Sequence, residues 1–160
     1  MENRIELTPM TREQMHELYR EFTIDRDLFP ENMPEKTYTY NPEKVDVLYA
    51  MRHGEQNSLC FAVLLDGTVI GEVGLRKIHA PAGSCELSIQ LQNDGVKNRG
   101  YGTAAERKAV EYAFYGLGLK SVWAETLENN TRSWHVLEKL GFRYEGSKYG
   151  YRQYRIERKD

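Results

Sequence analysis

A glycine-containing turn at Lys97–Thr103 carries the clearest chemical signal in the sequence. Gly100 and Gly102 remove side chains where a ligand would approach the backbone most closely. The turn is predicted to join a strand to a helix, whose first backbone amides are unpaired and favour a bound phosphate. Lys97 and Arg99 add positive charge, so a pyrophosphate is the natural ligand. Turns of this kind also occur without a ligand, so this turn alone leaves both interpretations open.

A second informative stretch begins about 30 residues further along the chain. Asn130 and Ser133 form an N-x-x-S pattern, and Leu-Glu-Lys-Leu-Gly-Phe follows at 137–142. Together the two stretches resemble the GNAT acetyltransferase superfamily. Lys97-x-x-Gly100-x-Gly102 matches its pyrophosphate loop, with Lys in place of Gln or Arg. The second stretch is most similar to the branch that contains the ribosomal-protein alanine and polyamine acetyltransferases.

This resemblance implies that acetyl-CoA is the co-substrate. In this fold two neighbouring parallel strands splay into a V-shaped cleft, here the strands near 84–92 and 120–127. Pantetheine would lie along the first of them, and the pyrophosphate would lie on residues 98–103. The implied cofactor contacts are Ile89, Leu91, Gln92, Lys97, Asn98, Arg99, Gly100, Tyr101, Gly102, Thr103, Asn130 and Ser133.

Acetyl transfer requires that the amine lose its proton, because an alkylamine with a pKa of about 10.4 is cationic at neutral pH. A carboxylate can accept that proton directly or through water. Glu86 is the first candidate, on the first cleft strand; Glu72 on the preceding strand and Glu125 on the second cleft strand are the others. Each is equally compatible with an ordinary strand residue.

The departing thiolate also needs a partner. Many family members place a tyrosine four residues before the Gly-Phe pair, but this position is Leu137 here. The resemblance suggests Ser133 as the substitute, although a serine in a first helical turn also bonds to backbone. Cys60 and Cys85 have no visible base nearby, so direct attack by the amine in a ternary complex is expected.

The acceptor is expected to bind at the segment 23–40, which carries acidic residues beside apolar ones. Asp25, Phe29 and Glu31 are the predicted substrate contacts. A protein N-terminus, a polyamine or other small amine, and an aminoglycoside or amino sugar are all open as acceptors. A non-catalytic acyl-CoA sensor is the alternative from another class. A nucleotide-binding Rossmann turn fits poorly, because its third glycine position is Ala105.

The elements that would position these residues are readable from local patterns. Thr11 begins a capping box, Asn41-Pro42 starts a second helix, and Asp66-Gly67 predicts a two-residue hairpin. We expect an α/β (α+β) fold with a central mixed, mostly antiparallel sheet of about six to seven strands and about four flanking helices. Further expectations are a helix over 100–115 with Ala105, Ala109, Tyr112 and Ala113 buried, and a final hairpin turning at Ser147-Lys148.

Composition limits the other function classes. The 160 residues suit a single domain, 1–160, and 22 basic against 24 acidic residues give no basic surface for nucleic acid or membrane. No secretory leader or membrane span is apparent, so a cytoplasmic location is expected. The two cysteines and four histidines lack metal-ligand spacing, so no metal is predicted. A monomer or homodimer is expected.

Overall fold

A computed structural model describes residues 4–24 and 38–159 of the chain. This part contains seven strands and four α-helices. Their bounds are β1 Ile5–Pro9, α1 Arg12–Arg20, α2 Pro42–Gly54, β2 Leu59–Leu65, β3 Thr68–His79, β4 Ser84–Leu91, α3 Tyr101–Glu111, β5 Ser121–Leu127, α4 Thr131–Lys139, β6 Arg143–Lys148 and β7 Tyr151–Glu157. None of the described helices is long and apolar enough to cross a membrane. The expected cytoplasmic location stays a prediction.

Side-chain caps begin three of the helices, as the sequence predicts. The Thr11 hydroxyl accepts from the Gln14 amide, and the Gln14 side chain accepts from the Thr11 amide, which completes the capping box. Asn41 caps α2 ahead of Pro42. Asn130 caps α4 by accepting from the amide of Ser133.

All seven strands form one sheet in the order β1-β2-β3-β4-β5-β7-β6. Only β4 and β5 are parallel; every other neighbouring pair is antiparallel. This mixed, mostly antiparallel sheet with four α-helices in the described residues confirms the predicted fold class.

The two faces of the sheet have separate cores. One core joins α3 to the strands through residues such as Val73, Leu87, Ala105 and Val122. The other packs α1 and α2 against the opposite face through Met15, Leu18 and Val45 among others. Since side chains alternate along a strand, a polar series on β3 and β4 faces α1 and α2. Its cross-strand pairs are Glu72–Gln90, Gly74–Ser88 and Arg76–Glu86.

Two local predictions are wrong. Tyr112 is 44% exposed, whereas Ala105, Ala109 and Ala113 are buried as expected. The Tyr112 ring lies at the end of α3, where it contacts Phe61 at one edge and stays partly open to solvent, and a π-helical turn at Tyr112–Gly116 follows the α-helix. The last hairpin turns at Tyr149-Gly150, where both φ angles are positive, and not at Ser147-Lys148.

Candidate active site

The pairing of β4 with β5 is short, and this creates a cleft. It covers three residue pairs, from Ser84–Ser121 to Glu86–Trp123. Beyond Glu86 the two strands separate, so the backbone of β4 loses its neighbour on that side. The cleft has a volume of about 570 Å³. It is lined by Phe22, Thr23, Ile24, Ile89, Gln90, Leu91, Lys97, Gly102, Glu106, Asn130, Arg132, Ser133 and Val136.

The glycine turn lies at the open end of this cleft. Gly100 precedes α3 with a φ of +83°, a conformation that favours glycine. Gly102, in contrast, has no positive φ, and a Cβ placed on it would lie 3.5 Å from Leu91 Cδ1, an ordinary contact. Neither backbone geometry nor protein packing therefore requires glycine at 102. The open cleft beside it is the remaining reason, which fits a ligand passing close to the backbone.

Basic side chains gather at the same end. Lys97 lines the cleft with only 12% of its side chain exposed, and its Nζ lies 3.4 Å from Asp94 Oδ1. Arg132, in the first turn of α4, lines the cleft from the other side. Arg99 turns back and donates to the Gly95 carbonyl at 2.9 Å. Lys97 and Arg132 are thus placed to attract the phosphates of a ligand.

The N-terminus of α4 contributes two predicted residues to the cleft. Asn130 uses its Oδ1 as the cap, and this leaves its Nδ2 as a donor. The Ser133 hydroxyl makes no hydrogen bond within residues 4–24 and 38–159, because Asn130, not Ser133, caps the helix. Leu137 is buried in the core at 2% exposure. Ser133 is therefore the hydroxyl that α4 presents to the cleft.

The geometry agrees with the family comparison. The sequence model of the acetyltransferase (GNAT) domain matches residues 4–143. The chain belongs to the GNAT acetyltransferase family. Membership confirms the predicted acetyl-CoA-dependent N-acetyltransferase, with acetyl-CoA as co-substrate and an amine as acceptor. No comparison favours the non-catalytic sensor.

Related proteins confirm the predicted branch of the GNAT family. Spermidine N(1)-acetyltransferase of Escherichia coli (strain K12) is 28% identical over 145 residues, which cover 89% of this chain and 74% of that protein. The putative ribosomal N-acetyltransferase YdaF of Bacillus subtilis (strain 168) is 27% identical over 142 residues, covering 88% and 76%.

Solved structures of spermidine N-acetyltransferase from Vibrio cholerae share the GNAT fold. The complex with CoA and spermine superposes with a TM-score of 0.76 at 18% identity, covering 97% of this chain and 96% of that one. A dodecameric structure gives a TM-score of 0.72 at 19% identity, covering 97% and 94%. Because that relative is dodecameric, the prediction of a monomer or homodimer is not confirmed.

Of the three carboxylates predicted as candidate bases, Glu86 lies where β4 and β5 begin to separate. It is the last β4 residue that pairs with β5, and it is 8% exposed. Burial raises the pKa of Glu86, and the nearby Lys77 ammonium opposes that rise. Glu125 on β5 adds a second negative charge to the surroundings of Glu86. The Glu125 carboxylate itself accepts from Gln153 at 3.0 Å.

Glu72 lies two pairs further along the polar series of β3 and β4, in a buried polar network. Its Oε1 lies 2.7 Å from Arg52 Nη2 and accepts from the Tyr19 hydroxyl at 3.2 Å. Gln90, which lines the cleft, donates to the same hydroxyl at 3.1 Å. Burial raises the pKa of Glu72, against the opposing effect of the Arg52 charge. Glu72 is therefore linked to the cleft through Tyr19 and Gln90.

The Lys77 ammonium lies beside Glu86 and Trp123, the last pair before β4 and β5 separate; we call this point the apex of the cleft. Lys77 Nζ lies 3.7 Å from Glu86 Oε1 and 5.0 Å from the centre of the Trp123 ring. Lys77 reaches this place from a break in the β3–β4 register, with a φ of +50°. A carboxylate and an aromatic face are together a recognised site for an ammonium group.

Several predicted residues have other surroundings. Gln92 lies outside the cleft lining. Its backbone N–H donates to the Ile70 carbonyl, and its side-chain NH2 donates to the carbonyls of Glu17 and Leu18. Tyr101 packs in the core, Asn98 belongs to the turn at the open end, and Thr103 lies in the first turn of α3. Their roles as cofactor contacts stay predictions. The predicted substrate contacts Asp25, Phe29 and Glu31 lie outside the described residues.

Sequence reasoning missed Glu106 and Arg132 in the cleft. The signal for Glu106 was present, since it follows the assigned Gly102 by four residues and so shares its helical face. Arg132 had a weaker signal: a basic residue in a first helical turn opposes the helix dipole, which favours a functional reason for it.

Neither cysteine is a ready nucleophile. Burial raises the pKa of the Cys60 and Cys85 thiols to about 11. Both are therefore protonated at neutral pH, and a thiol is a far weaker nucleophile than a thiolate. This agrees with the expectation that no acetyl-enzyme forms.

A larger groove of about 690 Å³ lies elsewhere, between α3 and the end of β7. Its apolar floor includes Val110, Phe114 and Ile156, and both acidic and basic side chains surround it. None of the predicted site residues lines it. Among the described residues no group of three or more His, Cys, Asp or Glu could hold a metal ion.

Proposed function

We propose that this protein acetylates a primary alkylamine of the polyamine class, such as spermidine. The observation that carries the proposal is the ammonium of Lys77 between Glu86 and the Trp123 ring. An alkylammonium group of this chain already occupies that place, so the site fits the charged end of an alkylamine. The names of the relatives from Escherichia coli and Vibrio cholerae point to the same class of acceptor.

Charge supports a polycationic acceptor. The face of the sheet that turns toward α1 and α2 carries Glu72, Glu86 and Glu125. Among the described residues, Glu72 is paired with Arg52, Glu86 lies near Lys77 and opposite Arg76, and Glu125 accepts from Gln153. A second ammonium of a polyamine would find a carboxylate within reach on this face. Phe22 and Ile24, which line the cleft, would contact its methylene chain.

Glu86 is the base in this proposal. It lies at the apex, and a pKa raised by burial makes a carboxylate a better proton acceptor near neutral pH. The Lys77 contact of 3.7 Å is loose, and 65% of the Lys77 side chain is exposed, so an incoming amine can displace it. Burial raises the pKa of Glu72 as well, but Glu72 is less suited because the Arg52 guanidinium at 2.7 Å and the Tyr19 hydroxyl already occupy its Oε1.

Acetyl-CoA supplies the acetyl group as a thioester. Lys97, Arg132 and the amides that begin α3 would bind its phosphates, and the unpaired edge of β4 would bind its pantetheine arm. The Ser133 hydroxyl would donate a hydrogen bond to the thioester sulfur as it leaves as a thiolate. Transfer goes directly to the amine, since the two thiols are protonated.

Thiol release from acetyl-CoA, followed colorimetrically, tests the acceptor class. The panel contains spermidine, spermine, an aminoglycoside, an amino sugar and short peptides beginning with Ala or Ser. Activity confined to the polyamines is expected. Preference for a peptide N-terminus would reject the polyamine proposal and indicate a protein acceptor, as the name of the Bacillus subtilis relative suggests. Gly102→Glu is the control for release that does not depend on the cleft.

A further inference from the structure

Glu106 is a buried carboxyl that no protein group explains. It lies one turn after Gly102 on α3, lines the cleft and is only 4% exposed. Burial is the only influence on its pKa, with no hydrogen bond or charged group within residues 4–24 and 38–159 acting on its carboxyl. Buried polar groups in folded proteins are almost always hydrogen-bonded, and because Glu106 lines the cleft, its partner there is a bound ligand, or water when no ligand is bound.

The surroundings of Glu106 identify where that partner lies. Ile89, Gln90 and Leu91 on β4 form one wall of the cleft, and Asn130, Ser133 and Val136 on α4 form the other. Glu106 therefore faces the space between β4 and α4. The charged groups that share the lining are Lys97 from the turn and Arg132 from α4. No ion pair from either of them to Glu106 occurs in the described part of the chain.

Burial favours the neutral form of the Glu106 carboxyl. Burial raises its pKa to about 8, and no charged group lowers it. A protonated carboxyl offers one hydrogen-bond donor and one acceptor side by side. A secondary amide can bond to either of them, because its C=O accepts and its N–H donates; since the amide is trans, these two groups point in opposite directions and the carboxyl bonds to one of them at a time. Pantetheine contains two such amides, and phosphates or a thioester do not offer this pattern.

We propose that Glu106 binds the pantetheine arm of acetyl-CoA as a protonated carboxylic acid, by hydrogen bonding to one of its amides. This assignment rests on the cleft as the cofactor site and is independent of which amine is acetylated. Ionisation of Glu106 removes its donor and adds a negative charge to a ligand that is already anionic. Cofactor affinity therefore falls as the pH rises through the pKa of this carboxyl.

Calorimetric binding of desulfo-CoA tests the assignment, because this analogue keeps the pantetheine amides and lacks the titrating thiol. Three proteins are compared: the wild type, Glu106→Gln and Glu106→Leu. The amide of Gln is isosteric with a carboxylic acid and offers a donor and an acceptor at every pH. Lys97 and Arg132 are the same in all three proteins, so their contributions cancel in the comparison.

The wild-type Kd is expected to rise about tenfold from pH 7 to pH 9 relative to that of Glu106→Gln, since only the neutral fraction binds. At pH 7 Glu106→Gln should bind within about twofold of the wild type, and Glu106→Leu about five- to tenfold more weakly. Equal pH profiles for the wild type and Glu106→Gln would overturn the proposal, as would full affinity in Glu106→Leu.

Thermal unfolding of each protein without ligand checks that the variants are folded. If none of the proteins binds desulfo-CoA, the assignment of the cleft to the cofactor is wrong, and this proposal falls with it. If all bind alike and polyamine acetylation persists, only the role of Glu106 is rejected. If binding follows the expected profile and no polyamine is acetylated, the acceptor proposal fails and this one stands.

Discussion

Glu86 and Trp123 are the last residues to pair across β4 and β5, and together they hold the ammonium of Lys77. The point where the sheet opens is thus also the point where a carboxylate and an aromatic face meet a cation. A splay alone would provide space for a ligand between two strands. The side chains at its apex add a reason for an alkylamine to arrive there.

Replacing Lys77 by Asn should improve the binding of the acceptor. Asn tolerates the φ of +50° at this position and removes the competing ammonium. The KM for spermidine is expected to fall about threefold, an amount typical of removing one weak exposed ion pair. Lys77→Arg keeps the charge and is the matched control, with a KM near that of the wild type. A KM unchanged or raised in Lys77→Asn would show that Lys77 does not occupy the acceptor's place.

Glu86→Gln and Glu72→Gln separate the two candidate bases. Loss of the base should lower kcat by about 100-fold, with little change in CoA affinity. Glu86→Gln is expected to show this loss, and wild-type kcat should fall at low pH as Glu86 takes up a proton, starting above the usual carboxyl range. Rates at saturating acetyl-CoA across the pH range provide the measurement.

Glu72→Gln should act mainly on stability. It leaves Arg52 without its carboxylate partner, at a cost on the order of 3 kcal/mol of unfolding free energy. Urea unfolding measures that cost. Near-normal turnover in Glu86→Gln together with lost turnover in folded Glu72→Gln would transfer the role of base to Glu72.

Gly102→Ala should weaken CoA binding without harming the fold. The added methyl group meets Leu91 at an ordinary contact distance, and the backbone at 102 suits any residue. The expected Kd for CoA is about tenfold higher, because the methyl group takes up space beside the ligand. The melting temperature without CoA should be unchanged or slightly higher. Unchanged affinity in both Gly102→Ala and Gly102→Glu would refute the loop assignment.

Ser133→Ala tests the hydroxyl that α4 presents to the cleft. The cap of α4 is retained, because Asn130 bonds to the backbone amide of residue 133. A fall in kcat of about 100-fold with unchanged CoA affinity is expected if the hydroxyl assists the departing thiolate. Ser133→Thr keeps the hydroxyl and serves as the control. If Ser133→Ala keeps the wild-type kcat, the Ser133 hydroxyl does not assist the departing thiolate.

Glu106→Gln should stabilise the ligand-free protein at neutral pH. The folded carboxyl has a pKa of about 8 against an ordinary value of 4.5. Between these values the unfolded chain releases the proton and the folded protein keeps it, so wild-type stability falls as the pH rises. The difference in unfolding free energy should grow from pH 4.5 to 8 and then stay constant. Urea unfolding at several pH values gives the curve, and a difference independent of pH would contradict it.

Local chemistry explains why much of the fold was predictable. Thr11, Asn41 and Asn130 cap helices through contacts three residues away, and such signals are complete within the sequence. The two positive φ angles at Asp66 and Gly67 likewise follow from residue type. The glycine turn was found for the same reason.

The remaining features depend on relationships that a single sequence does not display. Tyr112 is partly exposed at the end of α3, where the α-helix gives way to a π-helical turn that the regular apolar pattern does not indicate. Lys77 reaches Trp123 only because the β3–β4 register breaks and β5 lies beside β4. Glu106 looks like an ordinary helical glutamate until α4 closes the other side of the cleft.

Mass spectrometry of spermidine after incubation with the protein and acetyl-CoA tests the central claim most directly. The proposal predicts spermidine carrying one acetyl group, formed by the wild type and lost in Gly102→Glu. Unmodified spermidine, from a protein that binds CoA and acetylates a peptide N-terminus or another amine, would contradict the polyamine assignment.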